Sequence, residues 1–155
     1  MIVVLTGPVG CGKSTELRRL LAAARGAGRP VFGYETAWED PQRRGEGALV
    51  LRDLGCPGSA PVALGRRGEI SADRLLSAAA GALRRMPEAE GAVLAIDELG
   101  LFEGRASAER QEAFGAALKA ALGAASDAFV VVQERALGLW RPALAGGEEQ
   151  RLSRA

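Results

Sequence analysis

Gly7-Pro8-Val9-Gly10-Cys11-Gly12-Lys13-Ser14-Thr15 fits the pattern G-x-x-x-x-G-K-[ST] of a phosphate-binding P-loop, and this stretch decides the expected fold. The apolar run Ile2-Val3-Val4-Leu5 precedes it, as a buried parallel strand would. After it, apolar residues recur at helical spacing, at Leu17, Leu20, Leu21 and Ala24. The loop amides and the N-terminus of that helix would point at phosphate oxygens. We therefore expect a strand, a P-loop and a helix in this order.

The P-loop residues are the predicted nucleotide-binding site, and they are Gly7, Pro8, Val9, Gly10, Cys11, Gly12, Lys13, Ser14 and Thr15. Lys13 is also a candidate catalytic residue. The chain has eighteen arginines and two lysines, and it keeps lysine at position 13. A compact ammonium fits between β- and γ-phosphates, where a planar guanidinium would not. Cys11 stands at a variable position of the motif, and we interpret it as a small tolerated residue.

A second chemical signal is Ile96-Asp97-Glu98-Leu99-Gly100, at the end of an apolar run, which is the Walker B arrangement. Asp97 would hold Mg²⁺ through water while the Ser14 hydroxyl ligates the ion directly. Glu98 would polarise an attacking water as a general base. The same residues fit D-x-x-G, the second switch of small GTPases. That alternative is disfavoured, because a chain without asparagine has no Asn-Lys-x-Asp motif to recognise guanine.

Phosphoryl transfer usually also needs a mobile cation on the transferring phosphate. Arginines at eight positions are candidates by location, and they are Arg43, Arg44, Arg66, Arg67, Arg105, Arg110, Arg135 and Arg141. Arg66, Arg67 and Arg135 are favoured, because the first two follow an expected hairpin and Arg135 lies beyond a strand end. Gln133, at the end of the run 130–132, is a candidate for sensing the γ-phosphate or orienting water.

The remaining chain alternates expected strands and helices. Strands are predicted at 30–34, 48–52, 61–64, 92–96 and 128–132, with helices capped by Ser71 and Ser107. Turn residues 55–59 make a hairpin of the strands at 48–52 and 61–64. We expect a loop over 35–46, and a mobile tail or a short final element after Trp140. Trp38 and Trp140 are candidates for stacking on a base, although packing in the core or under a lid is the preferred interpretation.

This alternation predicts an α/β P-loop NTPase fold: a mostly parallel sheet with helices on both faces, plus a short β-hairpin or lid insertion. The length of 155 residues predicts a single domain over 1–155. The net charge of +1 indicates neither a nucleic-acid nor a membrane partner. No signal peptide is expected, and two cysteines without metal-like spacing fit a reducing cytoplasm. A monomer is slightly favoured, and the absence of histidine excludes a histidine base or metal ligand.

With these motifs considered together, the chain resembles the small nucleoside-triphosphatase family first described from thermophiles, also called cancer-related nucleoside-triphosphatases. The segment Asp97-Glu98-Leu99-Gly100-Leu101-Phe102-Glu103 and Phe114 match the family pattern, and Gly33-Tyr34-Glu35-Thr36 is similar to its Gly-aromatic-x-Thr segment. The resemblance implies a compact P-loop fold, Mg²⁺-dependent hydrolysis of nucleoside triphosphates and broad base tolerance. Gln133 stands where the family tends to have histidine, and residues 37–69 match it loosely.

We therefore expect Mg²⁺-dependent hydrolysis of nucleoside triphosphates, ATP and GTP among them, to diphosphate and phosphate. Two alternatives stay open. The first is a small nucleotide or nucleoside kinase, with residues 35–70 as acceptor site and lid. The second is a nucleotide-gated interaction module with little turnover.

Overall fold

The chain folds into a seven-stranded sheet with helices on both faces, as seen in a computed structural model that describes residues 1–40, 47–87 and 89–153. The strands are β1 (Ile2–Thr6), β2 (Val31–Trp38), β3 (Ala48–Asp53), β4 (Val62–Arg66), β5 (Val93–Leu99), β6 (Asp127–Val132) and β7 (Glu148–Arg151). The helices are α1 (Lys13–Gly26), α2 (Ala72–Arg84), α3 (Ala108–Ala124) and the short α4 (Leu137–Trp140), with 3₁₀ turns at Phe102–Arg105 and Glu134–Ala136.

The strand order β4-β3-β2-β5-β6-β1-β7 positions the chemistry. All neighbours run parallel except the pairs β2–β3 and β3–β4, which are antiparallel. β6 lies between β1, which leads into the P-loop, and β5, which carries Asp97 and Glu98. The carboxyl ends of parallel strands meet at one edge of the sheet, so the P-loop and both carboxylates face the same crevice.

The sheet has a hydrophobic core on each face. One core packs α1 against the sheet through Leu5, Leu17, Leu21 and Val131. The larger core packs α2 and α3 against the other face, with Phe32, Ile96, Leu118 and Val130 among its residues. The continuous apolar runs of β5 and β6 follow from this, because a parallel strand covered on both faces buries every side chain. The predicted α/β fold with helices on both faces is therefore confirmed.

The predicted loop over 35–46 is wrong for its first four residues, because β2 continues to Trp38. Residues 35–38 are polar enough to suggest a loop, but β3 pairs with them antiparallel, from Glu35 opposite Arg52 to Trp38 opposite Leu49. That pairing satisfies backbone hydrogen bonds that sequence periodicity does not reveal. The predicted hairpin is confirmed as β3 and β4. Arg43 and Arg44 lie outside the described residues.

The two predicted helix caps differ. The Ser71 hydroxyl oxygen accepts a hydrogen bond from the Arg74 amide at 3.2 Å, as an N-cap residue does. Ser107 also precedes its helix, but its side chain makes no capping hydrogen bond, and that part of the prediction is wrong. Its backbone N–H instead donates to Asp73 at 2.7 Å, which ties the start of α3 to α2.

The tail after Trp140 ends in β7, which pairs parallel with β1 and forms one edge of the sheet. All four of its residues are exposed, so no apolar periodicity announces it. In the described part of the chain, every helix is too short or too polar to span a lipid bilayer.

Candidate active site

The P-loop curls because its glycines adopt a conformation that other residues disfavour. Gly7, Gly10 and Gly12 have φ angles of 140°, 79° and 92°. Gly12 is the residue before α1, and its left-handed conformation turns the chain directly into the helix at Lys13. The Lys13 ammonium folds back over the loop and donates to the carbonyl oxygens of Gly7 at 3.0 Å and Pro8 at 2.9 Å. The lysine is thus held at the mouth of the loop.

A hydrogen bond joins the P-loop to the Walker B strand. The Ser14 hydroxyl donates to Oδ1 of Asp97 at 2.9 Å, across 83 residues of sequence. Asp97 is only 4% exposed. Burial raises its pKa to about 6, the Ser14 hydrogen bond opposes this rise, and the negative charge of Glu98 adds to it. A carboxylate so poorly solvated, and without a salt-bridge partner among the residues that the structure describes, is favourably placed to meet a cation.

Glu98 adopts a conformation that is rare for its residue type. Its φ of 87° is the only positive value among the non-glycine residues that the structure describes. Such backbone costs on the order of 1–3 kcal/mol and clusters at functional sites. The Glu98 side chain is exposed, and within the described ranges it makes no hydrogen bond or ion pair. Its carboxylate is therefore available to accept a proton from a bound water.

Two side chains, those of Glu103 and Trp140, make hydrogen bonds to Gly100 in the turn that follows Glu98. Both carboxylate oxygens of the buried Glu103 accept from the Gly100 N–H, and the Trp140 indole N–H donates to the Gly100 carbonyl at 2.9 Å. The Gln133 side chain lies so close that a Cβ on Gly100 would come within 2.7 Å of it. A side chain at this position would therefore displace the end of the Gln133 side chain. Trp140 also packs edge-on against the buried Phe114, which fixes the indole that bonds to Gly100.

A cavity of about 610 Å³, which we call the main cavity, opens over these residues. This volume is within the range of small-molecule sites. The P-loop side is formed by Val9, Gly10, Gly12, Lys13, Ser14 and Thr15, and the carboxylates Asp97 and Glu98 lie beside them. The opposite wall comes from β2 and β3, with Thr36, Ala37, Trp38 and Leu49. The loop with the P-loop pattern, the Ser14 hydroxyl and the two carboxylates thus share one space.

The main cavity does not bring all predicted residues together. Gly7, Pro8 and Cys11 belong to the loop but do not line the cavity, and neither do Arg66, Arg67, Gln133 and Arg135. Arg66 ends the edge strand β4, two strands away from β2. A phosphate contact by Arg66 or Arg67 therefore needs a closing movement and stays a prediction. Gln133 lies between the P-loop strand and β5, with its side chain against Gly100.

Sequence reasoning assigned no site role to two polar lining residues, Arg18 and Thr36. Arg18 stands four residues after Ser14, so helical spacing puts it on the face of α1 that carries the site. That spacing was the available signal. The Thr36 hydroxyl donates to the Asp97 carbonyl at 3.4 Å. Thr36 reaches the site because β2 is the parallel neighbour of β5. The order of strands in the sheet sets this contact, and no local sequence pattern predicts it.

The overall architecture is similar to a known structure. THEP1 from the hyperthermophile Aquifex aeolicus superposes with a TM-score of 0.69 over 99% of this chain and 90% of that one, at 15% sequence identity. No protein-family model matches the chain, and comparison with curated proteins gives no match. At this identity the similarity shows the fold, and the function has to be argued from the site.

Proposed function

We propose that the chain hydrolyses nucleoside triphosphates to diphosphate and phosphate with Mg²⁺. The observation that carries this proposal is the 2.9 Å hydrogen bond between Ser14 and Asp97. It joins a phosphate-binding loop to a buried carboxylate, with the unpaired Glu98 in the same cavity. These are the positions that phosphate binding, metal binding and water activation each need.

Ser14 and Asp97 are the residues that would hold Mg²⁺. Their oxygen donors suit that ion, which keeps several waters and needs few protein ligands. The fit also rests on Asp97 itself, because burial raises its pKa and a neighbouring cation would remove that penalty. When bound, Mg²⁺ would neutralise charge that develops on the β- and γ-phosphate oxygens.

The chain's own residues bind the phosphates and activate the water. The P-loop N–H groups and the Lys13 ammonium bind the phosphates and orient them. Glu98 accepts a proton from the attacking water, whose oxygen forms a bond to the γ-phosphorus. The bond from that phosphorus to the bridging oxygen breaks, and diphosphate leaves with the electron pair. The hydrogen bonds of Glu103 and Trp140 to Gly100 keep the turn after Glu98 in place during this step.

One observation favours a second candidate, a nucleotide or nucleoside kinase. The main cavity continues past the carboxylates to the wall formed by Ala37, Trp38 and Leu49. An aromatic and aliphatic wall is more than a single water needs, and it would fit the organic part of an acceptor. In that case an acceptor hydroxyl or phosphate oxygen would replace water as the attacking group.

The decisive experiment measures phosphate release from ATP, GTP, CTP and UTP, with Mg²⁺ or with EDTA, in the presence and absence of nucleosides and nucleoside monophosphates. We expect Mg²⁺-dependent release without any acceptor. Turnover that appears only with an acceptor would replace the hydrolase proposal with the kinase. Nucleotide binding without turnover under every condition would favour the interaction module instead.

A further inference from the structure

A second cavity of about 530 Å³, which we call the side cavity, lies against the flank of α1. Arg18, Leu21 and Arg25 line it from α1, where their spacing puts them on one face. Arg18 also lines the main cavity, so the two spaces are neighbours. The opposite wall comes from β2, β3 and the segment that follows β3. The proposed hydrolysis uses none of the residues that line this space.

The charges in the side cavity leave an excess of arginine. Asp53 is already occupied, since Arg85 pairs with one of its oxygens at 2.5 Å and the Gly55 N–H donates to the other at 2.9 Å. Three arginines, 18, 25 and 52, then face one remaining carboxylate, that of Glu35. Three positive charges and one negative charge leave a net charge of +2.

The arginines are weakly engaged. Arg18 and Arg52 approach Glu35 only at 3.7 Å and 3.6 Å, which is too long for a hydrogen bond. Arg25 makes no hydrogen bond or ion pair within the described ranges. Arg25 also lies in the last turn of α1, where a cation is favourable without any ligand, and the excess of positive charge comes from all three arginines together. Guanidinium groups bind phosphate bidentately when their planar donors are free.

The rest of the lining is apolar. Leu54, Pro57 and Pro61 present aliphatic surface, with the buried Leu21 beneath them. The Ser59 hydroxyl donates to the Cys56 carbonyl at 2.8 Å, so its proton is already used. A phosphate monoester carries a charge of about −1.5 to −2 at neutral pH, which complements the arginines. An uncharged ring attached to it would pack on the aliphatic surface.

We propose that the side cavity is a second ligand site, specific for a nucleoside monophosphate. Its phosphate would contact Arg25 and Arg52, with Arg18 between it and the main cavity, and its base would lie on the leucine and proline surface. This site is additional to the proposed hydrolysis and does not depend on it. The Glu35 carboxylate gives up its weak contacts with the arginines when the ligand binds.

The test measures binding by calorimetry with AMP, GMP, CMP and UMP, and separately with inorganic phosphate and ribose 5-phosphate. The double variant Arg25→Gln/Arg52→Gln should bind the monophosphates about 10-fold to 100-fold more weakly. Its melting shift with ATP should be unchanged. Arg110→Gln, an exposed change on α3, is the matched control. Lys13→Ala should lose the ATP shift and keep monophosphate binding, which separates the two sites.

Four results would overturn the proposal. They are no monophosphate binding at millimolar concentration, binding unaffected by the double variant, binding lost in Lys13→Ala, or equal affinity for inorganic phosphate or ribose 5-phosphate. The melting temperature without ligand verifies that the double variant is folded, as expected for two exposed side chains. Failure of NTP hydrolysis, by contrast, would leave this binding result intact.

Discussion

Glu103 receives the N–H of Gly100 between its two carboxylate oxygens, at 3.1 Å and 3.0 Å. The carboxylate is 5% exposed, and burial raises its pKa. Burying a carboxylate costs free energy unless hydrogen bonds compensate for the lost water. Here the compensating donor is the backbone N–H of Gly100, two residues after Glu98. Glu103 therefore acts as a positioning residue for the proposed base.

Glu103→Ala should lower kcat more than it changes KM, because the turn that orients Glu98 loses its anchor while the P-loop is untouched. It should also reduce the free energy of unfolding by about 1–3 kcal/mol, the cost of a buried N–H without a partner. Glu103→Gln keeps an acceptor oxygen and should recover most of kcat. Steady-state kinetics and urea unfolding check both variants, with the exposed Glu109→Ala as control. If Gln and Ala reduce kcat equally, the anchoring role is wrong.

Glu98→Gln should lower kcat about 10²-fold to 10⁴-fold, the range for general-base catalysis, with little change in nucleotide affinity. The amide keeps the size of the side chain and removes its ability to accept the proton. Single-turnover phosphate release measures the step directly. Asp97→Asn should behave differently and raise the Mg²⁺ concentration needed for half-maximal rate. A Glu98→Gln variant that hydrolyses at the parental rate would contradict the role of Glu98 as base. It would make Gln133 the candidate for positioning water and would favour the kinase.

Lys13→Ala should abolish most of the nucleotide-dependent rise in melting temperature while the unliganded protein stays folded. The reason is that its ammonium contacts only atoms of the P-loop, namely the Gly7 and Pro8 carbonyls and the Cys11 sulfur, and lines the cavity rather than the core. Lys119→Ala removes the chain's other lysine, which is exposed on α3, and is the matched control. An unchanged ATP shift in Lys13→Ala would contradict the P-loop assignment.

Asp127→Asn should destabilise the protein in a pH-dependent way. The Asp127 carboxylate accepts from Arg29 at 2.7 Å and lies 3.3 Å from the N-terminal amine. The Arg29 hydrogen bond holds its pKa below the ordinary value of 3.8. Because the folded state favours the ionised form, this stabilisation is present above that value and is lost as pH falls through the lowered pKa. We expect a difference of about 0.2–1 kcal/mol at pH 7 between parent and variant.

That difference should vanish in acid, as measured by urea unfolding from pH 7 to the acid limit of reversible folding. Glu109→Gln is the control, because its carboxylate is exposed and makes no ion pair within the described ranges. A parent–variant difference that is constant with pH would show that Asp127 acts through packing instead.

Local patterns predicted the elements that depend on neighbouring residues. The P-loop follows from Gly7, Gly12 and Lys13 because phosphate binding needs those residue types at that spacing. β5 and β6 follow from their apolar runs, and the β3–β4 hairpin follows from its turn. Residues 35–38 were misread because their strand depends on a partner, β3, that periodicity does not show. β7 has no apolar residue to bury, and its pairing with β1 also depends on the neighbouring strand.

By itself, the sequence determined that a glycine loop with the P-loop pattern and a pair of adjacent carboxylates exist, since each is a short run whose pattern is local. Only the tertiary structure decided which residues meet. The insertion of β6 between β1 and β5 sets the positions of Ser14 and Asp97, and the β2–β5 pairing brings Thr36 to them. The hydrogen bond from Trp140 to the Gly100 carbonyl spans 40 residues of chain, on the turn that Glu103 also holds. Such contacts depend on sheet order and packing, which are properties of the whole chain and not of any one segment.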